Sequence, residues 1–271
     1  MSWKIMKIDY HIHSEFSADS KLIMEALIAK AISNSYIEIA FTDHFDLLPS
    51  EIAVYGTPSY RSYSRAVATQ QAKNSEIRIL KGVELGEYHR CHQLVDEVLS
   101  NYSPPDLKIA SIHVLPDGKN ISEHLTYEIT PDVISSYYQE NLALVEYGNF
   151  DMLGHLGIYK RYLTDEPDES GELLTIKRIF SLLIEKQIGL EVNLSGLRNS
   201  YRKLIPAPVY LKLFREMGGE LITIGSDSHH LDHFDLHYQE ALQILTECGF
   251  TYLFRKTEHG WEPLKIDLKQ P

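Results

Sequence analysis

DYHIH (9–13) closes an apolar run that begins at residue 4, and its form recurs along the chain. Six further apolar runs, at 37–42, 77–83, 107–112, 151–154, 188–193 and 221–225, also close on polar residues. Their ends read FTDH (41–44), GVE (82–84), SIH (111–113), GH (154–155), EVN (191–193) and GSDSH (225–229). Short apolar runs bounded by such ends read as buried strands. Between them lie stretches of helical period, clearest at 21–33, 131–146, 172–186 and 209–217 and weaker at 63–73 and 92–99. A last amphipathic run, 238–248, precedes a short apolar segment at 252–254. Strands that alternate with helices form parallel βαβ units with right-handed crossovers. In a parallel barrel the carboxyl ends of all strands share one rim, where such folds gather their reactive groups. A doubly wound sheet would bring together only the strands beside its switch point. Seven contributing strand ends therefore predict an α/β fold closed, or nearly closed, into a barrel.

The chain of 271 residues is 44% hydrophobic and 24% charged, which is ordinary for a globular protein and excludes disordered, collagen-like and coiled-coil classes. No Gly/Ser-rich linker, charge block or fixed-period repeat divides it, so one domain over 1–271 is expected. The stretch 49–61 has neither helical nor strand period and reads as an irregular insertion. Lys and Arg number 26 against 38 Asp and Glu, and a net charge of −12 repels a nucleic-acid backbone. The only cysteines, Cys91 and Cys248, form no C-x-x-C pair, so neither a disulfide framework nor a thiolate zinc site is indicated. Residues 1–9 carry no apolar leader and no run reaches a membrane span, so a cytoplasmic protein without a membrane partner is expected.

Histidine is the unusual residue, with 13 copies beside 2 Trp and 5 Met. His11 and His13 stand two apart at a strand end, which places both rings on one side of the chain. A lone H-x-H is more often two half-buried or solvent-facing histidines, but the other strand ends and the HSEFSADS loop add Asp19, His44, Glu84, His113, His155, Asp227 and His229. Six imidazoles and three carboxylates suit Zn, Mn or Fe better than Ca or Mg, which favour all-oxygen shells. Nine donors exceed the coordination of one ion, so two or three divalent ions are expected. A structural zinc site would be closed and four-coordinate. His92, His124, His233, His237 and His259 fall outside these motifs and read as solvated or core-edge residues.

DYHIHSEFSADS, FTDHFD, KGVELGE, ASIHVL, LGHLG and GSDSHH resemble, in order and spacing, the motifs of the polymerase and histidinol phosphatase (PHP) superfamily over residues 9–230. Within it, GVELGEYH, the Arg of GIYKRY and the Arg of NLSGLRNS look like the PHP-type histidinol-phosphate phosphatases. The resemblance implies a distorted seven-stranded βα barrel with a trinuclear centre. It implies that His11, His13, Glu84 and Asp227 hold one ion, Glu84, His113 and His155 a second, and Asp19, His44 and His229 a third. It also implies metal-dependent hydrolysis of L-histidinol phosphate to L-histidinol and phosphate, in histidine biosynthesis.

Arg161 and Arg198 each follow a strand on the donor-bearing rim, and guanidinium matches phosphate bidentately, so both are expected to bind it. An alkoxide leaving group needs a proton. His89 is the preferred donor, and Asp43, beside His44, is a second candidate that could instead orient a ligand. Glu87 could meet the substrate ammonium, and His230 the substrate. Cys91, without other sulfurs nearby, is expected to be inert. Two other readings remain: a phosphoesterase for another small ester such as a nucleotide or sugar phosphate, and a metal-binding regulatory module without catalysis. Oligomeric state is not legible.

Overall fold

The computed structural model describes residues 6–56, 58–123 and 126–268; Lys4, Ile5 and His124, named above, lie outside them. Seven strands form one parallel sheet in chain order: β1 (Lys7–Ile12), β2 (Tyr36–Phe41), β3 (Arg78–Gly86), β4 (Leu107–Ser111), β5 (Met152–Leu153), β6 (Gly189–Asn193) and β7 (Ile222–Gly225). Each pairs with the next. The sheet then meets itself: the Asp227 N–H donates to the His11 carbonyl at 2.7 Å and the His13 N–H to the Ser228 carbonyl at 3.0 Å. The result is a distorted seven-stranded βα barrel sealed at its carboxyl rim. Its strands are nearly continuous buried runs, as parallel strands covered on both sides must be.

Helices α1 (Met24–Ser33), α2 (Pro49–Tyr55), α3 (Tyr60–Lys73), α4 (Tyr88–Ser100), α5 (Pro131–Tyr147), α6 (Leu173–Lys186), α7 (Ser195–Arg198), α8 (Pro208–Glu216) and α9 (Tyr238–Glu247) fill the connections. Their apolar stripes explain their places. In α6, Ile176, Ile179, Phe180 and Leu183 recur at three and four residues and are buried. Phe180 meets Phe214 of α8 edge-on at 5.2 Å. Helix α5 opens on Pro131, with Thr130 accepting the Val133 N–H, and stops at Gly148, whose φ is +72°.

The amino-terminal mouth of the barrel is covered by an antiparallel hairpin, β8 (Tyr252–Thr257) and β9 (Gly260–Lys265). The Lys256 N–H donates to the Tyr10 hydroxyl at 2.7 Å, and its ammonium pairs with Asp151 at 2.5 Å. The apolar segment at 252–254 is the first half of β8. Among the described residues no helix is long and apolar enough to cross a membrane.

Two expectations need correction. The stretch 49–61 is not irregular: it holds α2 and the start of α3, with Thr57 outside the described residues. Two turns are too short to display a 3.6-residue period, and Pro49 supplies the start signal by pre-setting φ. Helix α4 begins at Tyr88 rather than near 92, because Glu87 adopts a left-handed turn (φ +44°) that swings the chain off β3. That turn decides the fate of two proposed site residues.

Candidate metal centre

All nine expected donors converge on the carboxyl rim, with Glu84 of β3 at the middle. Its Oε1 lies 2.9 Å from His155 Nε2 and 3.2 Å from His113 Nε2. Its Oε2 lies 3.2 Å from His11 Nε2, 3.4 Å from His13 Nε2 and 3.3 Å from His44 Nδ1. Asp227, following β7, brings Oδ1 to 3.5 Å from His13 Nε2 and 3.4 Å from His229 Nδ1. Asp19 reaches His229 Nε2 at 3.1 Å and His44 Nε2 at 3.5 Å. Donors bound to one ion at about 2.0–2.2 Å lie roughly 3.0–3.5 Å apart, the spacing seen throughout. Three compact donor groups result: His11, His13 and Asp227; His44, Glu84 and His113; and His13, Asp19, His44 and His229.

The donor chemistry fits divalent cations. His11 Nε2 and His13 Nε2 face each other at 3.0 Å, and Glu84 Oε2 is buried without a hydrogen-bond partner. Ring tautomers are set from behind. Ser17 donates to Asp43 at 2.7 Å, so it can accept from His13 Nδ1 at 3.1 Å and leave the Nε2 lone pair inward. His11 Nδ1 is held by Glu191 at 2.7 Å and His229 Nδ1 by the Asp227 carbonyl at 3.1 Å, with the same effect.

Burial disfavours charge on the His11, His44 and His113 rings, yet neighbouring carboxylates outweigh it and hold all three pKa values well above the usual range. Burial, then the His229 and His44 charges, push His13 down to about 3, leaving it neutral. Burial likewise opposes ionisation of Glu84 and Asp227, but the surrounding histidines hold both carboxyls far below their usual range. The carboxylates favour protons on those rings. A bound cation answers the same demand and releases those protons.

Sequence reasoning missed two supporting carboxylates. Glu191, quoted in EVN but not placed at the site, holds His11 with Oε1 and accepts the His155 backbone N–H at 2.5 Å with Oε2. It occupies space that only Gly225 leaves: a Cβ there would collide with the Glu191 carboxylate and the His11 Cβ. Asp46, the last residue of FTDHFD, lies 3.1 Å from His44 Nδ1 and 3.7 Å from His113 Nδ1 and accepts the Gly86 N–H. The available signal was, for Glu191, its place near the end of β6 and, for Asp46, its place two residues after His44. Glu191→Gln is expected to weaken metal binding about 10- to 100-fold, the usual effect of removing an orienting partner; titration of the metal-stripped variant checks it.

A cavity of 680 Å³ opens over the cluster, walled by Asp19, His44, Glu84, His113, His155 and Asp227 and by residues beyond them. Arg161 and Arg198 both line it. Arg161 pairs with Asp227 at 2.9 Å and donates to the Ser122 carbonyl. Arg198 donates to the carbonyls of Ser226 and Asp227, bracing the latter's left-handed backbone (φ +52°), a conformation rare outside glycine and common at functional sites. His230 lines the cavity too, and so does His233, which sequence reasoning set aside. The two rings meet edge-on at 5.1 Å, and burial lowers His233 to about 4.

Three other expected site residues stand elsewhere. His89 lies on α4, turned away by Glu87, and its Nε2 is 3.1 Å from Glu140 of α5. It does not line the cavity, which removes it as proton donor. Glu87 is fully buried, its carboxyl raised to about 7 by burial, and accepts the backbone N–H groups of His113 and Val114. It shapes the loop carrying His113 rather than meeting an ammonium. Asp43 is buried and accepts from Ser14 and Ser17, and Ser17 meets His13 Nδ1, so Asp43 stands behind His13 and not on the cavity wall. Cys91 is buried, its thiol pushed up to about 12 by burial. Outside the cavity wall, His237 pairs with Glu240 and His92 packs on Tyr147.

Residues 9–195 match the family model of the PHP domain. The histidinol-phosphatase of Lactococcus lactis subsp. lactis is 28% identical over 251 residues, spanning 90% of this chain and 92% of that protein. A Clostridium acetobutylicum protein described as "Probable histidinol-phosphatase" is 27% identical over 261 residues, spanning 92% and 96%. The crystal structure of the histidinol phosphate phosphatase of Lactococcus lactis subsp. lactis, complexed with zinc, L-histidinol and phosphate, superposes with a TM-score of 0.83 at 25% identity, over 95% of this chain and 99% of that one. The barrel order, the donor-bearing strand ends and the family match over most of the length agree, and the chain belongs to the PHP domain family.

Proposed function

We propose that this protein is a metal-dependent phosphatase that hydrolyses L-histidinol phosphate to L-histidinol and phosphate in histidine biosynthesis. The observation that carries it is the convergence of nine donors, with Glu84 at their middle, beside a cavity whose wall also presents Arg161 and Arg198. The likeness to histidinol-phosphatases over at least nine-tenths of the chain supports the substrate. Two or three ions, Zn, Mn or Fe, would be held by His11, His13, Glu84 and Asp227, by Glu84, His113 and His155, and by Asp19, His44 and His229. Bound there, such ions supply Lewis acidity toward a phosphoryl group and make water nucleophilic near neutral pH.

The protein's own groups do the rest. Glu84 ties the donor groups together through its two oxygens. Arg161 and Arg198 receive the phosphate dianion, and His230 contacts the substrate. With His89 removed, the wall histidines His230 and His233 are the groups placed to serve the leaving oxygen. The free, buried Cys91 and Cys248 support a reducing, cytoplasmic setting. The whole chain is proposed to act as one PHP domain, which the bonds from the hairpin to Tyr10 and Asp151 support.

The test is phosphate release from L-histidinol phosphate by protein purified without chelators, with bound metal counted on the same sample. Turnover that disappears on chelation and returns with Zn, Mn or Fe is expected. Bound metal without turnover would leave the centre standing and remove the substrate.

A further inference from the structure

Within the cavity wall, Glu51 of α2 has no part in the metal centre. It is only 4% exposed and, among the described residues, has neither a hydrogen bond nor an ion pair. Its carboxylate is not among the fully enclosed polar groups that lack a partner, so the exposure it keeps is toward the cavity, where a ligand can reach it. The charged groups that act on it are Asp46, Glu123, His44 and His113. Arg161 and Arg198, by contrast, both bond to Asp227. The two guanidinium groups of the wall thus gather beside Asp227, while Glu51 stands among Asp46, Glu123, His44 and His113.

That division suits a molecule that carries both a phosphate and a cationic group. Glu87, the sequence-based candidate for the cationic end, is buried behind the His113 loop and leaves this place vacant. Glu51 arrives on the insertion after β2, outside the barrel scaffold that builds the metal centre, where a substrate-selecting group can vary without disturbing the donors. We propose that Glu51 binds the ammonium group of an amine-bearing phosphate monoester and so sets the preference of the site for cationic over neutral esters. The proposal rests on the phosphatase reading above. Burial pushes the Glu51 carboxyl up and Asp46 adds to the push, and an ammonium beside it acts in the opposite direction.

The experiment compares kcat/KM for L-histidinol phosphate and for its analogue lacking the amine, 3-(imidazol-4-yl)propyl phosphate, in wild type, Glu51→Gln and Glu51→Asp. In Glu51→Gln the ratio between the two esters should fall at least about tenfold, mainly through KM. Bound metal should stay at the wild-type count, and Glu51→Asp should recover part of the ratio. An equal fall on both esters, or no fall on either, would overturn the proposal. Phosphoethanolamine and ethyl phosphate form a second pair. A wild type that leaves L-histidinol phosphate intact but prefers phosphoethanolamine through Glu51 defeats the substrate reading and upholds the role of Glu51. Absence of preference in both pairs defeats that role.

Discussion

Glu84→Gln is expected to lower kcat by at least about a thousandfold, the scale of losing a preorganised electrostatic group, and to release metal on dialysis. The substitution keeps volume and shape, so the barrel should persist, with an unchanged far-ultraviolet circular dichroism spectrum. What changes is charge at the one residue whose two oxygens face different donors, His113 and His155 on one side and His11, His13 and His44 on the other. An amide carries one acceptor where the carboxylate has two, and its NH2 would point at imidazole nitrogens that need their lone pairs inward. Ser111 also donates to Oε1 at 2.7 Å, so the amide cannot turn without losing that bond as well. Metal analysis and phosphate-release kinetics on one preparation check the prediction. A variant with full metal and full turnover would show that Glu84 is a structural acid and that the centre is organised otherwise.

Arg161→Met is expected to reduce kcat/KM for L-histidinol phosphate by about 100-fold or more, the cost of losing a charge-assisted, bidentate phosphate contact from a partly buried site. Methionine keeps much of the packing volume, and Arg161→Lys should rescue poorly because an ammonium cannot present the planar fork. Arg161 also pairs with Asp227, so the metal count separates its two effects. Retained metal with lost kcat/KM assigns the loss to phosphate binding; lost metal assigns it to the support of Asp227. Wild-type kinetics in the variant would leave Arg161 as a brace alone.

The donor set was legible because its chemistry is local. His11, Glu84, His113 and Asp227 each sit within two residues of a strand end, and chain order plus a parallel barrel suffice to bring them together. Groups chosen by adjacency to those motifs fared less well. Glu87 and His89 stand within five residues of Glu84, yet the left-handed turn at Glu87 sends one beneath the His113 loop and the other to Glu140. Glu191 and Asp46 were overlooked for the opposite reason. Glu191 meets His11 from another strand, and no spacing within one segment reports a contact 180 residues away; Asp46 lies two residues from His44 but also reaches His113 and the Gly86 N–H, which spacing does not report either.

Read alone, the sequence determined the parallel barrel, its seven strands in order, the shared rim and the nine candidate donors, since apolar period and strand-end residue type are properties of neighbours along the chain. Tertiary structure alone decided which side chains stand behind the donors, which wall the cavity, and that Glu51 reaches it from a helix two turns long. The difference has one physical cause. Apolar period brings a strand end to the shared rim, but the direction and burial of a side chain depend on turns such as Glu87 and Asp227, and on close approaches such as Gly225 to Glu191, which exist only once distant segments pack.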